Sequence, residues 1–294
     1  MKADAALSAA DLPEMEPALE PIARRRLPGR RRRMPRLWGQ RLPTLQRVAF
    51  AAAAWLGFLL LWQVAATLWA PGALFPTPVQ VVGALWQLFA EHEFFSDVLA
   101  SVVRIVASFA IAVCIALPLG LLMGASARLD ALFTPLFGAF RYLPAPAFIP
   151  LLLMWLGTGE TQKLALLLLG VIFFLVIMIA DATRNLPREF VEVARTLGAT
   201  PGRVLWRVIL RGGMPGYFDT CRQMLAVSWT YLVIAEIVAA TDGIGAMMMR
   251  AKRFVHVDDI MAGILVIGVL GLLFDTLFRV AHRLLFPYVQ TNRE

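Results

Sequence analysis

Six apolar stretches of about twenty residues or more, each able to cross a hydrocarbon layer of about 30 Å, leave few folds open to this chain. They run from Val48 to Ala70, Val98 to Ala125, Leu132 to Leu156, Leu164 to Thr183, Tyr217 to Ala240 and Ile260 to Phe286, separated by short polar or Pro/Gly-marked breaks. Of the 294 residues, 59% are hydrophobic and 16% charged. The mean hydropathy of +0.70 exceeds what a soluble core of this size buries. The expected fold class is an all-α membrane protein, a bundle of six spanning helices. Pro144, Pro146 and Pro150 predict a kink in the third span and Pro118 lies in the second, positions that membrane helices tolerate when neighbours satisfy the freed carbonyls.

Charge sets the expected orientation. Arg24, Arg25, Arg26, Arg30, Arg31, Arg32, Arg33, Arg36, Arg41 and Arg47 precede the first span, which places the amino terminus in the cytoplasm. Six crossings return the loop from Thr183 to Gly216 to the same side, where Arg184, Arg188, Arg195, Arg203, Arg207 and Arg211 face only Glu189 and Glu192. The reading is a multi-pass protein of the cytoplasmic (inner) membrane with both termini inside. The loop from Thr241 to Asp258 falls outside on this count yet carries Arg250, Lys252 and Arg253. It is a candidate to dip back into the protein.

The chain divides into an Arg-rich arm (1–47), a first transmembrane helix with an external amphipathic segment (48–97), a core transmembrane domain (98–286) that includes the basic loop 184–216, and a cytoplasmic tail (287–294). The arm lacks apolar periodicity and is expected to be disordered against anionic lipid. It supplies most of the net charge of +8, so that charge does not argue for a nucleic-acid partner. Val48 to Ala70 exceeds the roughly 7–15-residue core of a cleaved signal and reads as an anchor. Thr77-Pro78 opens a helix with Val79, Val82, Leu85, Trp86 and Phe89 at helical spacing.

Within the basic loop, Phe190, Val191, Ala194 and Leu197 recur at three- and four-residue spacing and predict a short helix stopped by Gly198. Thr200-Pro201 then caps a second helix, Gly202 to Leu210. The two form a compact knob, with Glu192 near the amino end of the first helix and Arg195, Arg203 and Arg207 as cationic contacts.

Glu192-Val193-Ala194, then Gly198 and Val208-Ile209-Leu210, is similar to the motif Glu-Ala-Ala, three residues, Gly, nine residues, Ile-x-Leu-Pro of binding-protein-dependent ABC importer permeases. From about Phe75 to Phe286 the chain resembles the nitrate/sulfonate/taurine/bicarbonate branch of that family. The blocks include Phe75-Pro76-Thr77-Pro78, Ser101-Val102-Val103-Arg104, Arg141-Tyr142-Leu143-Pro144, Trp155-Leu156-Gly157-Thr158-Gly159 and Ala235-Glu236. The resemblance implies a six-helix type I importer permease with cytoplasmic coupling helices, paired with a second copy of itself. It also implies ABC ATPase subunits docked on Glu192, Ala194, Arg195, Leu197, Gly198, Arg203 and Arg207, and an external or periplasmic solute-binding protein. ATP and Mg would sit on the ATPase, with no cofactor on this chain. Arg211 departs from the motif's proline and Gly212-Gly213 follow, so the second segment either runs on or bends at the glycines. Val193 replaces an alanine.

No phosphate-gripping G-x-x-x-x-G-K-[ST] loop is present, so this chain cannot hydrolyse ATP alone. His92, His256 and His282 are dispersed, with no metal-ligand grouping, and Cys114 and Cys221 read as free thiols. No G-x-S-x-G elbow supports a membrane-bound enzyme. An ion-coupled secondary transporter or channel, the other transport class, would show matching halves around intramembrane carboxylates, and no such repeat is seen. Ionisable residues within spans nominate the path: Arg141, Asp219, Arg222 and Glu236. Asp219 and Arg222, three apart, are expected to neutralise each other. Glu236, approached along its helix by Ser228, Trp229 and Leu232, either shapes the path or fixes packing as a paired or protonated group. Arg141 either raises the anion potential of the pore or snorkels to the interface. The solute implied by the resemblance is small and nitrate-, sulfonate-, taurine- or bicarbonate-like.

Overall fold

The computed structural model describes residues 43–68, 74–91, 94–239 and 241–292. The arm 1–47 lies outside these residues except at its end, as do the last residues of the tail. Eleven helices are introduced in chain order: α1 (Thr44–Leu68), α2 (Pro78–Glu91), α3 (Phe94–Ala125), α4 (Ala127–Phe140), α5 (Ile149–Leu156), α6 (Glu160–Arg184), α7 (Arg188–Thr196), α8 (Pro201–Arg203), α9 (Leu210–Ala239), α10 (Ile244–Arg253) and α11 (Val257–Leu285). No strand occurs among the described residues. The chain forms two compact units, Met1–Trp55 and Leu56–Glu294. The first, described from Pro43, consists of the opening turns of α1 with every residue exposed. In the second, α1 continues, and Trp62 donates its indole N–H to the Pro76 carbonyl at 3.1 Å.

Among the described residues, five helical segments are long and apolar enough to cross a membrane, and α4 with α5 form a sixth candidate bent by 81°. The bend occurs where Pro144 and Pro146 remove amide donors and Pro144 disfavours helical geometry at Leu143. Pro144 itself is extended, with φ −68° and ψ 116°. The expected third span, Leu132 to Leu156, thus corresponds to two helices and not to one continuous helix.

The core forms where small residues let helices approach. Along α3, Ala112, Ala116, Gly120 and Gly124 recur every four residues on one face, which packs against α6. A Cβ on Gly120 would lie 2.7 Å from the Val176 carbonyl oxygen and 2.8 Å from the Ile179 Cβ. A Cβ on Gly124 would meet Thr183 and lie 2.6 Å from the Ala180 carbonyl. Without a hydrophobic drive between helices in lipid, such close backbone approach is what dispersion requires. A second apolar cluster joins Val81, Ala84 and Leu88 of α2 to Phe94, to Ile244, Met247 and Ala251 of α10 and to Ala262 and Val266 of α11.

In the expected external amphipathic helix, Val79, Val82 and Trp86 are 77%, 62% and 77% exposed, and the inward face is Val81, Ala84 and Leu88. The helix begins as expected, with a reciprocal cap in which Thr77 N donates to Gln80 Oε1 at 2.7 Å and Gln80 N to Thr77 Oγ1 at 3.4 Å. The segment after Asp242 does fold back, since Ile244, Gly245, Ala246, Met247 and Ala251 of α10 are buried. The expected fifth span, Tyr217 to Ala240, begins much earlier. Helix is continuous from Pro201 to Ala239, passing through a π-helical stretch at Val204–Ile209. Arg211, unlike a proline, keeps its amide donor, and the helix runs on instead of stopping at Leu210 or bending at Gly212-Gly213.

Candidate functional site

The loop between α6 and α9 folds as the knob its residues predict. Pro187 leads into α7, and Gly198, with φ +78°, ends it. Gly198 N donates to the Arg195 carbonyl at 2.9 Å and Ala199 N to the Ala194 carbonyl at 3.0 Å, the paired bonds of a left-handed helix stop. Thr200 makes no side-chain cap, contrary to expectation. Its carbonyl instead accepts from Val204 N at 3.0 Å. Glu192 is the fifth residue of α7, not near its start. The acid of the first turn is Glu189, to which the dipole argument belongs.

The knob presents an unusual mixture of exposed side chains. Phe190, Val193 and Leu197 are 56%, 58% and 82% exposed beside exposed Glu192, Arg195, Arg203 and Arg207, none of which has an ion pair among the described residues. Between α7 and the π-helical stretch that leads into α9 lies a recess of about 570 Å³ lined by Glu189, Phe190, Val193, Ala194, Leu197, Arg207, Val208 and Gly212. Of the expected contact residues, Ala194, Leu197 and Arg207 therefore share one concave surface. Apolar side chains on a charged, exposed helix mark an interaction surface.

At the opposite end of the bundle, a polar cluster ties four helices together. Arg104 of α3, 4% exposed, donates Nε and Nη2 to both oxygens of Glu160 on α6 at 2.7 and 2.8 Å. Its Nη1 reaches Glu236 of α9 at 2.8 Å and its Nη2 reaches Asp242 at 2.6 Å. Lys163, also buried, donates to Glu160 at 2.6 Å. Glu236, fully enclosed, accepts further bonds from Ser101 Oγ at 2.7 Å and Gly245 N at 2.9 Å. Asp97 accepts from Gly243 N at 2.7 Å and pairs with Arg250. Partial burial opposes ionisation of Asp242, but the hydrogen bond and charge of Arg104, with Lys163 beyond it, hold its carboxyl below the ordinary aspartate range. Glu236 is thus saturated with donors, which favours the packing alternative.

The path candidates separate accordingly. Ser228, Trp229 and Leu232 are 3%, 5% and 1% exposed, inside the bundle with Glu236, and do not offer a face to any route outside the chain. Sequence pattern pointed to this face because the three residues lead to Glu236 at helical intervals. The exposed face of α9 instead carries Gln223, Ala226 and Thr230, spaced three and four residues apart, about one helical turn each, along one stripe beyond Asp219. Arg141, half-buried at the bend after α4, lies with its guanidinium carbon 5.0 Å from the Tyr142 ring centre and donates to the Tyr142 hydroxyl at 3.1 Å. Asp219 sits 3.7 Å from Arg222, but the shorter partner of Arg222 is Asp275 on α11, at 3.0 Å. Arg104 and Lys163 escaped the sequence reading, although Arg104 lies within a span and met the same test that nominated Glu236. The paired bonding that identifies its role joins residues more than fifty positions apart.

Three comparisons bear on this architecture. Residues 116–291 match the model of the family described as binding-protein-dependent transport system inner membrane component. The taurine transport system permease protein TauC of Escherichia coli (strain K12) is 32% identical over 254 residues, covering 84% of this chain and 92% of that protein. The bicarbonate transport system permease protein CmpB of Synechococcus elongatus is 28% identical over 249 residues, 81% of this chain and 88% of that protein. The MetNI methionine ABC transporter, solved in inward-facing conformations, contains a chain that shares the fold at a TM-score of 0.52 and 20% identity, covering 69% of this chain and 96% of that one. Matched over residues 116–291, the chain belongs to the family of binding-protein-dependent transport system inner membrane components and is a transmembrane permease subunit of an ABC importer.

Proposed function

We propose that this permease converts the motion of a partner ATPase into import of a small oxyanionic solute delivered by an external binding protein. The observation that carries the reading is the knob, an exposed helix with Phe190, Val193 and Leu197 bare and a groove beneath them. A helix or ridge of the ATPase seats in that groove, with Glu192, Arg195, Arg203 and Arg207 providing charged contacts at its rim. ATP and Mg stay on the partner. The loop and both termini face the cytoplasm, and the Arg104 cluster faces outward, toward the binding protein.

The lever is the unbroken helix from Pro201 to Ala239. A push on the knob is passed into the bundle along this one continuous helix, which does not stop at Leu210. Two copies of the chain pair around the solute path, so that each ATPase of a nucleotide sandwich has its own knob. Gln223 and Thr230, with Ala226 between them, line the path, because exposed polar side chains such as these two are stable in a span against water or solute and not against lipid. The relatives named for taurine and bicarbonate transport favour a solute with a sulfonate- or carboxylate-like head.

The test is direct. Gly198→Asp places a side chain at φ +78°, and Glu192→Lys reverses a charge on the exposed face of α7. Both variants are expected to insert and pair as the wild type does, yet lose ATPase capture in a quantitative pull-down and lose uptake. Wild-type capture and uptake in both would overturn the assignment of this loop.

A further inference from the structure

A second recess, of about 700 Å³, opens between the loop-proximal ends of α9 and α11. Pro215, Gly216, Asp219 and Arg222 line one wall, and Arg279, His282 and Arg283 line the other. Its charges do not close among themselves. Arg222 Nη1 donates to Asp275 at 3.0 Å, and Arg279 pairs with the second oxygen of the same carboxylate. One carboxylate is thereby shared by two guanidiniums. Asp219 stops 3.7 Å from Arg222 Nε and 3.8 Å from His282 Nε2, beyond hydrogen-bond reach.

Arg222 Nε and His282 Nε2 are consequently enclosed atoms with no hydrogen-bond partner among the described residues. A buried donor without an acceptor is unfavourable, and a guanidinium N–H cannot relieve this by losing its proton. The His282 ring is held in place, with Phe218 and Phe286 at ring-centre separations of 6.2 and 5.1 Å. Arg283, exposed at the mouth, has no ion pair among the described residues. Three guanidiniums thus meet two carboxylates around a space wide enough for several waters or a polyatomic anion.

The geometry points to an oxyanion site: a tetrahedral anion, either free sulfate or phosphate or the phosphate of a lipid headgroup, sits in this recess against the guanidiniums of Arg222 and Arg283. Both sources share the same chemistry, several acceptor oxygens on a compact negative centre, which suits guanidinium donors. The occupant bridges α9, which is continuous with the coupling segment, to α11. Anion occupancy therefore fastens the lever helix to its neighbour at the end where the ATPase pushes.

The experiment uses the full chain assembled with its ATPase in nanodiscs and reads binding, not uptake, so it is independent of where the solute crosses. In discs of phosphatidylcholine alone, radiolabelled sulfate is titrated against wild type, Arg283→Gln, Arg222→Lys and, as a control for loss of charge elsewhere, Arg128→Gln. Arg283 is exposed and unpaired, and Lys at 222 retains a cation for Asp275, so neither variant removes an ion pair needed for folding. Loss of one charge-assisted contact is expected to weaken sulfate binding about tenfold in both recess variants and leave Arg128→Gln unchanged. In the second arm, discs containing phosphatidylglycerol are examined by native mass spectrometry. Absence of sulfate binding together with phosphatidylglycerol retained by wild type and lost from Arg283→Gln assigns the site to a lipid headgroup. If neither probe binds, or if Arg128→Gln weakens binding as much as Arg283→Gln, the site is refuted.

Discussion

At the end of the bundle away from the loop, Arg104 alone bonds to Glu160, Glu236 and Asp242, and Ser101, Lys163 and Asp97 extend the mesh across four helices. At the loop end, Glu192, Arg195, Arg203 and Arg207 stand in solvent without an ion pair among the described residues, beside bare Phe190, Val193 and Leu197. Both regions are rich in charge. One has its donors and acceptors consumed inside the chain, and the other leaves them for a partner. A charged residue in a membrane protein is therefore assigned to stability or to contact by whether its hydrogen bonds are already used, not by its being charged.

The largest expected effect tests the consumed region. Arg104→Gln leaves Glu236, fully buried, without its cation, and breaking a buried pair from one side costs about 3–5 kcal/mol. A sharp fall in folded yield and in thermal stability in detergent is expected. If Arg104→Gln unfolded at the wild-type temperature, the mesh would not be what holds this end together.

Somewhat smaller is the loss from crowding the helix contact. Gly120→Val sets a branched side chain against the Val176 carbonyl and Ile179, and overpacking of this kind costs about 1–3 kcal/mol. Trp229→Ala should be at least as damaging, at about 3–5 kcal/mol, because the ring is buried against Phe274 at 5.8 Å. Thr230→Ala, one position along but on the exposed stripe, should leave thermal stability within about 0.5 kcal/mol of wild type while changing uptake. Equal loss of stability in Trp229→Ala and Thr230→Ala would erase the distinction between the two faces of α9.

At the knob, Gly198→Asp should lower stability by only about 1–2 kcal/mol, from the left-handed backbone, because no atom lies within 4 Å of the added Cβ. Its effect on ATPase capture should far exceed that. The smallest effect concerns pH. Asp242 has a depressed folded-state pKa, so its contribution is complete above the ordinary value of 3.8 and is lost as pH falls through the lower folded value. Its side chain is 54% exposed, and solvent screens the pair. Thermal unfolding followed through this acidic range should show a modest component in wild type that Asp242→Asn lacks.

Much of this molecule follows from local chemistry. A run of apolar residues must form a helix in lipid because its backbone has no other partner, so the spans were legible from their lengths. Pro144 and Pro146 marked the bend, and Gly198 marked the end of α7, because both residues act on their own backbone dihedrals. Arg211 in place of proline left two courses open for the following helix, and the continuous one was taken. Which side of a helix faces inward was not legible. In a soluble protein the apolar stripe points to the core, but lipid is as apolar as the core, so Val79, Val82 and Trp86 on α2 and Trp229 and Leu232 on α9 carry no such direction. Tertiary structure alone decided that Glu236 is sealed by Arg104, Ser101 and Gly245 while Gln223 and Thr230 remain exposed. Those outcomes depend on partners distant in sequence, and no local pattern records whether a buried charge will find one.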